Sequence, residues 1–392
     1  MRILMLVFNQ VGRGTYWRAL HLSRQLAGCG HQVTLMATAQ TARMRLVERE
    51  ELGVRLVETP DLFSGSLRSG WDLWNAARRI KWLWNRSFDL IHAFEMRPVV
   101  LWPALFARRR GAFWVTDWCD WFGRGGSVEE RPNPILRWAL RPVETFFEER
   151  FRTRSDAATV INSTLHRKLL DLGMPEDRIL VLPNGADLEG IRPKPRDEVK
   201  QRLGLPFDLR FVAYTGSMFR RDAALMAAAF DRIYAVEPKA RLMLIGYCNQ
   251  PVETMVQVPE AVWRIGVVSS QQLADHVAAC DVGWLPLSDC GANRGRFPMK
   301  LSDYMAAGLP IAASDVGDIG DMLRRAAIGR VSAAQPQALA DAVLALLGDA
   351  AERERLGRRA RQVAEAQFAW PLIGARTERF YEALMSHVPF VA

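Results

Sequence analysis

A chain of 392 residues, with 49% hydrophobic and 24% charged side chains, is too long for one ordinary core and too apolar to stay disordered, so it suits two globular domains. It has no uncharged apolar stretch long enough to span a bilayer, and its five scattered cysteines lack zinc spacing and fit a reducing cytoplasm. A net charge of +9 admits nucleic acid, a membrane surface or an anionic small substrate, and the positions of the charges point away from nucleic acid and toward the membrane.

In chain order, strand and helix signals alternate throughout, the pattern of doubly wound α/β domains. Arg2 to Phe8 reads as a first buried strand rather than a secretory leader, because its apolar run is short and Gly12-Arg13-Gly14 follows it. Tyr16 to Ala27 reads as a helix closed by Gly28 and Gly30, and Gln32 to Ala37 as the second strand. Leu90 to Ala93, Ala112 to Thr116, Ala157 to Asn162 and Arg178 to Leu182 follow as strands, the last closed by the turn signal Pro183-Asn184-Gly185. Leu188 to Lys200, with Pro193 and Pro195, reads as an interdomain linker. The pattern then restarts, with strands over 209–215, 241–246, 264–268 and 282–287 and helices over 222–236, 271–279, 337–347, 351–364 and 371–385. We therefore expect an N-terminal domain over 1–188, a C-terminal domain over 189–370 and a last helix, 371–392, packing back on the first domain.

The most informative segment runs from Phe297 to Ser314. Pro298 suits a helix start, Met299 to Ala307 a short helix, Gly308 a left-handed cap and Pro310 a stop before the buried run Ile311-Ala312-Ala313. Lys300 at a positive helix start is a ready phosphate site, and Asp303 one turn on can hold a ribose hydroxyl. Arg220 and Arg221 follow the strand-to-glycine turn Tyr214-Thr215-Gly216-Ser217 and read either as further phosphate ligands or as solvated surface charge. Gly12 and Gly14 form a glycine loop that lets backbone N–H groups approach a phosphate or an acceptor, although many βα turns carry glycine. No third glycine or strand-end acid accompanies them, which disfavours a dinucleotide oxidoreductase. Asp117 and Asp120 have the look of a metal pair, but a structural or acceptor-orienting role suits Asp120 better. His92 reads as a satisfied strand-end histidine or, with Glu95, as an acceptor-side group. Leu67 to Phe88 places Trp71, Trp74, Ile80 and Trp84 on one broad helical face edged by Arg78, Lys81 and Arg86. It fits a helix lying on an anionic bilayer or one packed in the core with a basic rim.

These residues resemble the GT-B glycosyltransferases and, within them, the retaining glycosyltransferase family 4. Val181-Leu182-Pro183-Asn184-Gly185-Ala186-Asp187 resembles that family's interdomain signature, and Lys300 to Pro310 its donor-site signature. Gly28 to Thr34, Phe368-Ala369-Trp370 and Asp117 to Phe122 resemble further stretches of it. The resemblance implies two Rossmann-like domains facing each other across a cleft, the first binding an acceptor and the second a nucleotide-sugar, most often UDP-linked. It implies transfer to an acceptor hydroxyl with retention and without a metal or other cofactor, in bacterial surface polysaccharide or glycolipid synthesis at the cytoplasmic face of a membrane. Lys300, Arg220 and Arg221 become the groups that stabilise the leaving diphosphate. Gly12, Gly14, Gly216, Ser217, Ile265, Met299, Leu301 and Asp303 become the donor-binding set, and His92, Glu95, Asp117 and Asp120 the acceptor-side candidates. The family's motif sets two acids on either side of seven residues; the second aligns with Asp303, but the first falls on Gly295. The ribose contact is thus retained and the sugar contact is not. A nucleotide-sugar epimerase of the same fold, or a non-catalytic scaffold, are the alternatives.

Overall fold

The structure, a computed structural model, describes residues 1–40, 44–62 and 70–386. The chain forms two compact units, Met1–Pro183 joined by the residues from Trp370 onward, and Asn184–Ala369. The first holds β1 (Arg2–Gln10), β2 (Gln32–Thr38), β3 (Val47–Glu51), β4 (Val54–Thr59), β5 (Leu90–Phe94), β6 (Phe113–Trp118), β7 (Ala157–Val160) and β8 (Ile179–Val181). Their order is β3-β4-β2-β1-β5-β6-β7-β8, parallel except for the antiparallel β3–β4 hairpin. The charged sequence of β3, Val-Glu-Arg-Glu-Glu, was not legible as a strand because it lies at the sheet edge, where charge is tolerated and discourages further pairing.

The second unit holds β9 (Arg210–Thr215), β10 (Ala240–Ile245), β11 (Val262–Gly266), β12 (Val282–Leu285), β13 (Ile311–Ser314) and β14 (Gly329–Ser332). Their order, β11-β10-β9-β12-β13-β14, is that of a doubly wound sheet that reverses direction between β9 and β12. Every strand but the edges reads as an apolar run, as a sheet covered on both faces requires. Val212, Leu242, Leu244, Trp284 and Ala312 from the strands pack against Met226, Phe230 and Ile233 of the Arg220–Val236 helix.

One expectation is corrected and one stretch with two open readings is resolved in part. The stretch 188–200 is not a free linker: Arg196–Leu203 is a helix with Val199 and Lys200 buried. Lys194 and Arg202 both pair with Asp275, and Arg196 with Asp281, so the segment is stitched onto the second unit. Within the stretch that fits either a bilayer-surface helix or a core helix with a basic rim, residues 67–69 lie outside the described residues, and the helix itself is Leu73–Leu83. Trp74 (39%) and Trp84 (63%) are exposed, but Trp71 and Ile80 are only half-exposed. The inward side carries Trp82 and a fully buried arginine, Arg79.

Arg79 explains why this basic helix belongs to the core. Its guanidinium donates to the carbonyls of Val7 (2.8 Å) and Val99 (3.1 Å), to Asn75 Oδ1 (2.8 Å) and to Thr59 Oγ1 (3.2 Å). It thereby links β1, β4 and two helices. Arg79→Met keeps the volume and strands these acceptors, each at about 1–3 kcal/mol. We expect the urea midpoint of the first unit to fall by an amount equivalent to at least about 2 kcal/mol, as measured by tryptophan fluorescence; an unchanged midpoint would discard this role.

Candidate functional site

In a doubly wound sheet the ligand site lies beyond the carboxyl ends of the strands where the order reverses. In the second unit that place is the end of β9, the loop after β12 and the Met299–Ala306 helix. β9 ends at Thr215, and Gly216, at φ 75°, turns the chain through Ser217 into the Arg220–Val236 helix. Arg220 and Arg221 are exposed in the first turn of that helix rather than in the loop before it. No side chain caps this N-terminus, so its N–H groups and positive end face outward.

The Met299–Ala306 helix is fixed against β9 by Tyr304. Its buried hydroxyl accepts from Thr215 N (3.1 Å) and donates to the carbonyl of Ala213 (3.2 Å). The ring lies so close to β12 that a Cβ on Gly283 would come within 2.6 Å of it. Pro298 sits at the cap position, Gly308 takes φ 67° just past the end, and β13 follows. Asn184 adds a second anchor: its amide donates to the carbonyl of Phe297 (2.6 Å), and its own carbonyl accepts from Ser302 Oγ (3.2 Å). The Pro183-Asn184-Gly185 turn therefore holds both ends of the segment that carries Lys300.

Lys300 is half-buried. Its ammonium lies 3.5 Å from the centre of the Tyr214 ring and 3.4 Å from the carbonyl of Ser217. Burial, with the neighbouring Arg296 adding to it, pushes its pKa down to about 7. Arg296 stacks over Phe219 at 4.1 Å. It joins Lys300, Arg220 and Arg221 as a fourth cation of this region, which the sequence reading missed although it stands only four residues before Lys300. Asp303 is also half-buried, and burial, reinforced by Asp187, pushes its carboxyl up to about 7. Asp222, fully buried, accepts from Ser288 N (2.8 Å) and Asn293 Nδ2 (2.9 Å) and so ties the loop after β12 to the Arg220–Val236 helix. The side chain of Leu301 is entirely in the core, leaving only its backbone to any ligand. Met299 is half-buried at the first helical position, and Ile265 is half-buried near the end of β11. Gly295 ends the short Gly291–Arg294 helix and offers no carboxylate. A rim with four cations, two helix N-termini and one acid of raised pKa is suited to a phosphorylated, hydroxyl-bearing ligand.

The first-unit candidates are distributed differently. Gly12 and Gly14 sit after β1 at φ 78° and 54°, with the carbonyl of Gly12 accepting from Trp17 Nε1 (2.9 Å). His92, Glu95 and Asp117, expected on the acceptor side, are all buried to within 1%. Arg18 donates to both oxygens of Asp117, the shortest contact being 2.9 Å. Burial alone would raise the Asp117 carboxyl, but Arg18 holds it below the usual range. Thr159 Oγ1 donates to Asp117 (2.6 Å), leaving its oxygen to accept from His92 Nε2 (3.0 Å), while Tyr381 donates to His92 Nδ1 (2.5 Å). This chain of bonds fits one neutral tautomer, protonated on Nε2. Glu95, at φ 64°, pairs with Arg152 (2.8 Å) and accepts the backbone N–H groups of Cys119 and Asp120 (3.0 and 3.1 Å). Glu148 accepts from Phe122 N and Gly123 N (2.7 and 2.6 Å). Two buried carboxylates thus shape the 119–123 loop, and Asp120, half-exposed on it, is the one acceptor-side candidate that reaches solvent. Among the described residues, no three His, Cys, Asp or Glu side chains converge to hold a metal ion.

Two family models match the chain: a glycosyl transferase 4-like domain over residues 13–185 and a glycosyl transferases group 1 domain over residues 210–349. A D-inositol 3-phosphate glycosyltransferase from Thermobispora bispora is 26% identical over 66% of this chain, which spans 61% of that relative's length. Among solved structures, sucrose-phosphate synthase from Thermosynechococcus elongatus superposes with a TM-score of 0.77 at 18% identity, covering 99% of this chain and 100% of that one. Anabaena HepE in complex with UDP and glucose gives a TM-score of 0.68 at 14% identity, covering 98% and 100%.

The buried histidine yields a test that separates a structural from a catalytic role. Burial pushes the pKa of His92 down to about 4, against about 6.5 in an unfolded chain. As pH falls from 6.5 toward 4 the unfolded chain takes up a proton that the folded one refuses, so stability present above pH 6.5 is lost over that window, by roughly 3 kcal/mol in all. His92→Gln should remove most of this slope in urea denaturation at a series of pH values; the same slope in both proteins would place its origin elsewhere.

Proposed function

Because the chain belongs to the GT-B glycosyltransferases of the family 4 type, we propose that it moves a sugar from a nucleoside-diphosphate sugar, UDP-linked, to an acceptor hydroxyl with retention of configuration and without a metal. The observation that carries this reading is the position of Lys300, poised over Tyr214 beside the Ser217 carbonyl with a pKa near neutrality. A lysine held in that way gains its charge when a dianion arrives. In the proposed site Lys300, Arg221 and Arg220 bind the diphosphate, with Arg296 beside them. Asp303 takes the ribose, and Gly216, Ser217, Met299 and the backbone of Leu301 line the nucleotide, with Ile265 at its border. Gly12, Gly14 and Asp120 serve the acceptor side.

The step is a front-face displacement. The bond from the anomeric carbon to the β-phosphate oxygen breaks, the acceptor oxygen bonds to the same face of that carbon, and its proton passes to the departing phosphate. The protein contributes position and fixed positive charge where the leaving group becomes more negative. No carboxylate at position 295 selects the sugar, so sugar recognition falls to other groups. A lipid-linked acceptor in surface polysaccharide or glycolipid synthesis would bring the first unit to the inner face of a membrane, and the exposed Trp74 and Trp84 support contact there.

Donor identity is read first by a nucleotide-sugar panel in thermal shift, then by hydrolysis and transfer. With the stabilising donor, Lys300→Ala and Arg221→Ala should each cost on the order of a hundredfold in turnover, the scale of losing one charge-stabilising group. Full turnover in both variants would refute the site. Epimerised donor released without acceptor would replace transfer with epimerisation.

A further inference from the structure

The Pro134–Arg150 helix is built with its polarity reversed. Its only fully buried residues are Glu144 and Glu148. Glu144 pairs with Arg131 (2.7 Å), while Glu148 accepts from Trp118 Nε1 (2.9 Å) and from the backbone of the 122–123 loop. Arg137 and Arg141, on the same inward side, are held by Glu129. The outward side carries Ile135 (76% exposed), Trp138 (77%) and Phe146 (53%), with Leu136 and Val143 also exposed. On a soluble surface the apolar stripe of a helix faces the core. Here it faces away, and five large apolar side chains share one exposed face, the kind of contiguous patch that marks a contact site.

The patch continues beyond the helix. Phe146 lies against Phe147 and Phe151 (both 5.7 Å), and both of those meet Trp102 of the Pro98–Arg108 helix at 6.4 Å. One turn after Trp102, Phe106 stacks on Trp84 at 5.8 Å. The cations along this belt sit at aromatic rings: Arg154 over Phe151, Arg110 over Phe106 and Arg78 over Trp74, with Arg150 exposed at the end of the reversed helix. The acids beside it are in ion pairs, Glu129 with Arg141 and Glu149 with Lys168, which leaves the fringe positive. A second copy docked here by a two-fold contact would set this positive fringe against itself. An anionic bilayer complements it, with the aromatic rings at headgroup depth and the arginines reaching phosphates.

We propose that the outward face of the Pro134–Arg150 helix, continued by Trp102 and Trp84, docks the first unit onto an anionic lipid surface. This face extends the lipid contact of the proposed function well beyond the Leu73–Leu83 helix. Its inward side grips the loop that carries Asp120, through Glu148 and through Thr145, whose hydroxyl accepts from Arg124 N (2.8 Å). Docking therefore holds that loop behind the lipid-facing side by one helix diameter, about 10 Å.

Flotation of the full-length protein with vesicles of equal parts phosphatidylcholine and phosphatidylglycerol tests the proposal without any turnover, so its outcome and that of the transfer reaction are independent. The wild-type protein should rise with these vesicles, and less so with pure phosphatidylcholine or at high salt. The triple variant Ile135→Ser, Trp138→Ser, Phe146→Ser should lose about tenfold or more of this partitioning, with an unchanged circular dichroism spectrum. Should the triple variant misfold, quenching of wild-type tryptophan fluorescence by brominated phosphatidylglycerol, reduced in Trp138→Phe, gives the same reading. Failure of the wild-type protein to float, equal flotation of the folded triple variant, or a dimer that this variant dissociates without any lipid binding would overturn the proposal.

Discussion

The ion pair between Arg18 and Asp117 is the constraint around which the first unit is arranged. Both side chains are buried, so neither tolerates loss of the other: removing one partner leaves a charge in the interior, a cost of about 3–5 kcal/mol. Arg18 rises from the first helix to the carboxylate at the end of β6 and also donates to the carbonyls of Leu182 and Pro183 (2.8 and 3.1 Å), where the chain leaves this unit. Asp117 in turn orients Thr159 of β7, which orients His92 of β5, which accepts from Tyr381 of the last helix. One buried pair thereby fixes the first helix, three central strands, the exit of the chain and the helix that returns from its end. Because the two charges cancel where they are needed, the carboxyl ends of these strands can be polar without being reactive.

The second unit shows the opposite use of charge. Around Lys300, Arg296 and the two helix starts, positive charge is gathered without a protein carboxylate in contact with the ammonium. Tyr214 lends the face of its ring, and Ser217 a carbonyl, both weak substitutes for an anion. In the first unit the partner of the guanidinium is a buried carboxylate, and around Lys300 the ammonium meets a ring face and a carbonyl, at a place that the proposed function assigns to a ligand. This contrast separates a structural strand-end network from a binding rim better than residue type does.

How far the sequence disclosed this follows from the same contrast. The segment from Pro298 to Ser314 was legible because its grammar is local: a proline at the helix start, a glycine at φ 67° past its end and an apolar run after it. The alternation of strands and helices was legible for the same reason, although β14 (Gly329–Ser332) was not, being short and at the sheet edge. His92, Glu95 and Asp117 stayed ambiguous, with His92 read either as a satisfied strand-end histidine or as an acceptor-side group, since a polar residue at the end of an apolar strand looks the same whether it faces a ligand or a buried partner. Their partners, Thr159, Tyr381, Arg152 and Arg18, lie tens to hundreds of residues away, and only folding brings them in. Arg296 was passed over for the converse reason: nothing local distinguishes it from a surface arginine until Phe219 lies under it. The Pro134–Arg150 helix escaped notice because it has prolines at its start and inside, and because its apolar stripe points away from any core.

The protonation of the donor rim carries the argument one step further. Burial pulls Lys300 and Asp303 in opposite directions toward the same value, about 7, so near neutral pH these two groups stand between their charged and neutral forms, beside the guanidinium groups of Arg296, Arg220 and Arg221. A diphosphate placed beside Lys300 favours its charged form, whereas a ribose hydroxyl at Asp303 can donate to a carboxylate or accept from a carboxylic acid. Under the proposed function, diphosphate binding is then coupled to proton uptake at the lysine. In that reading the charged lysine also serves the leaving group, which becomes more negative as the glycosidic bond lengthens.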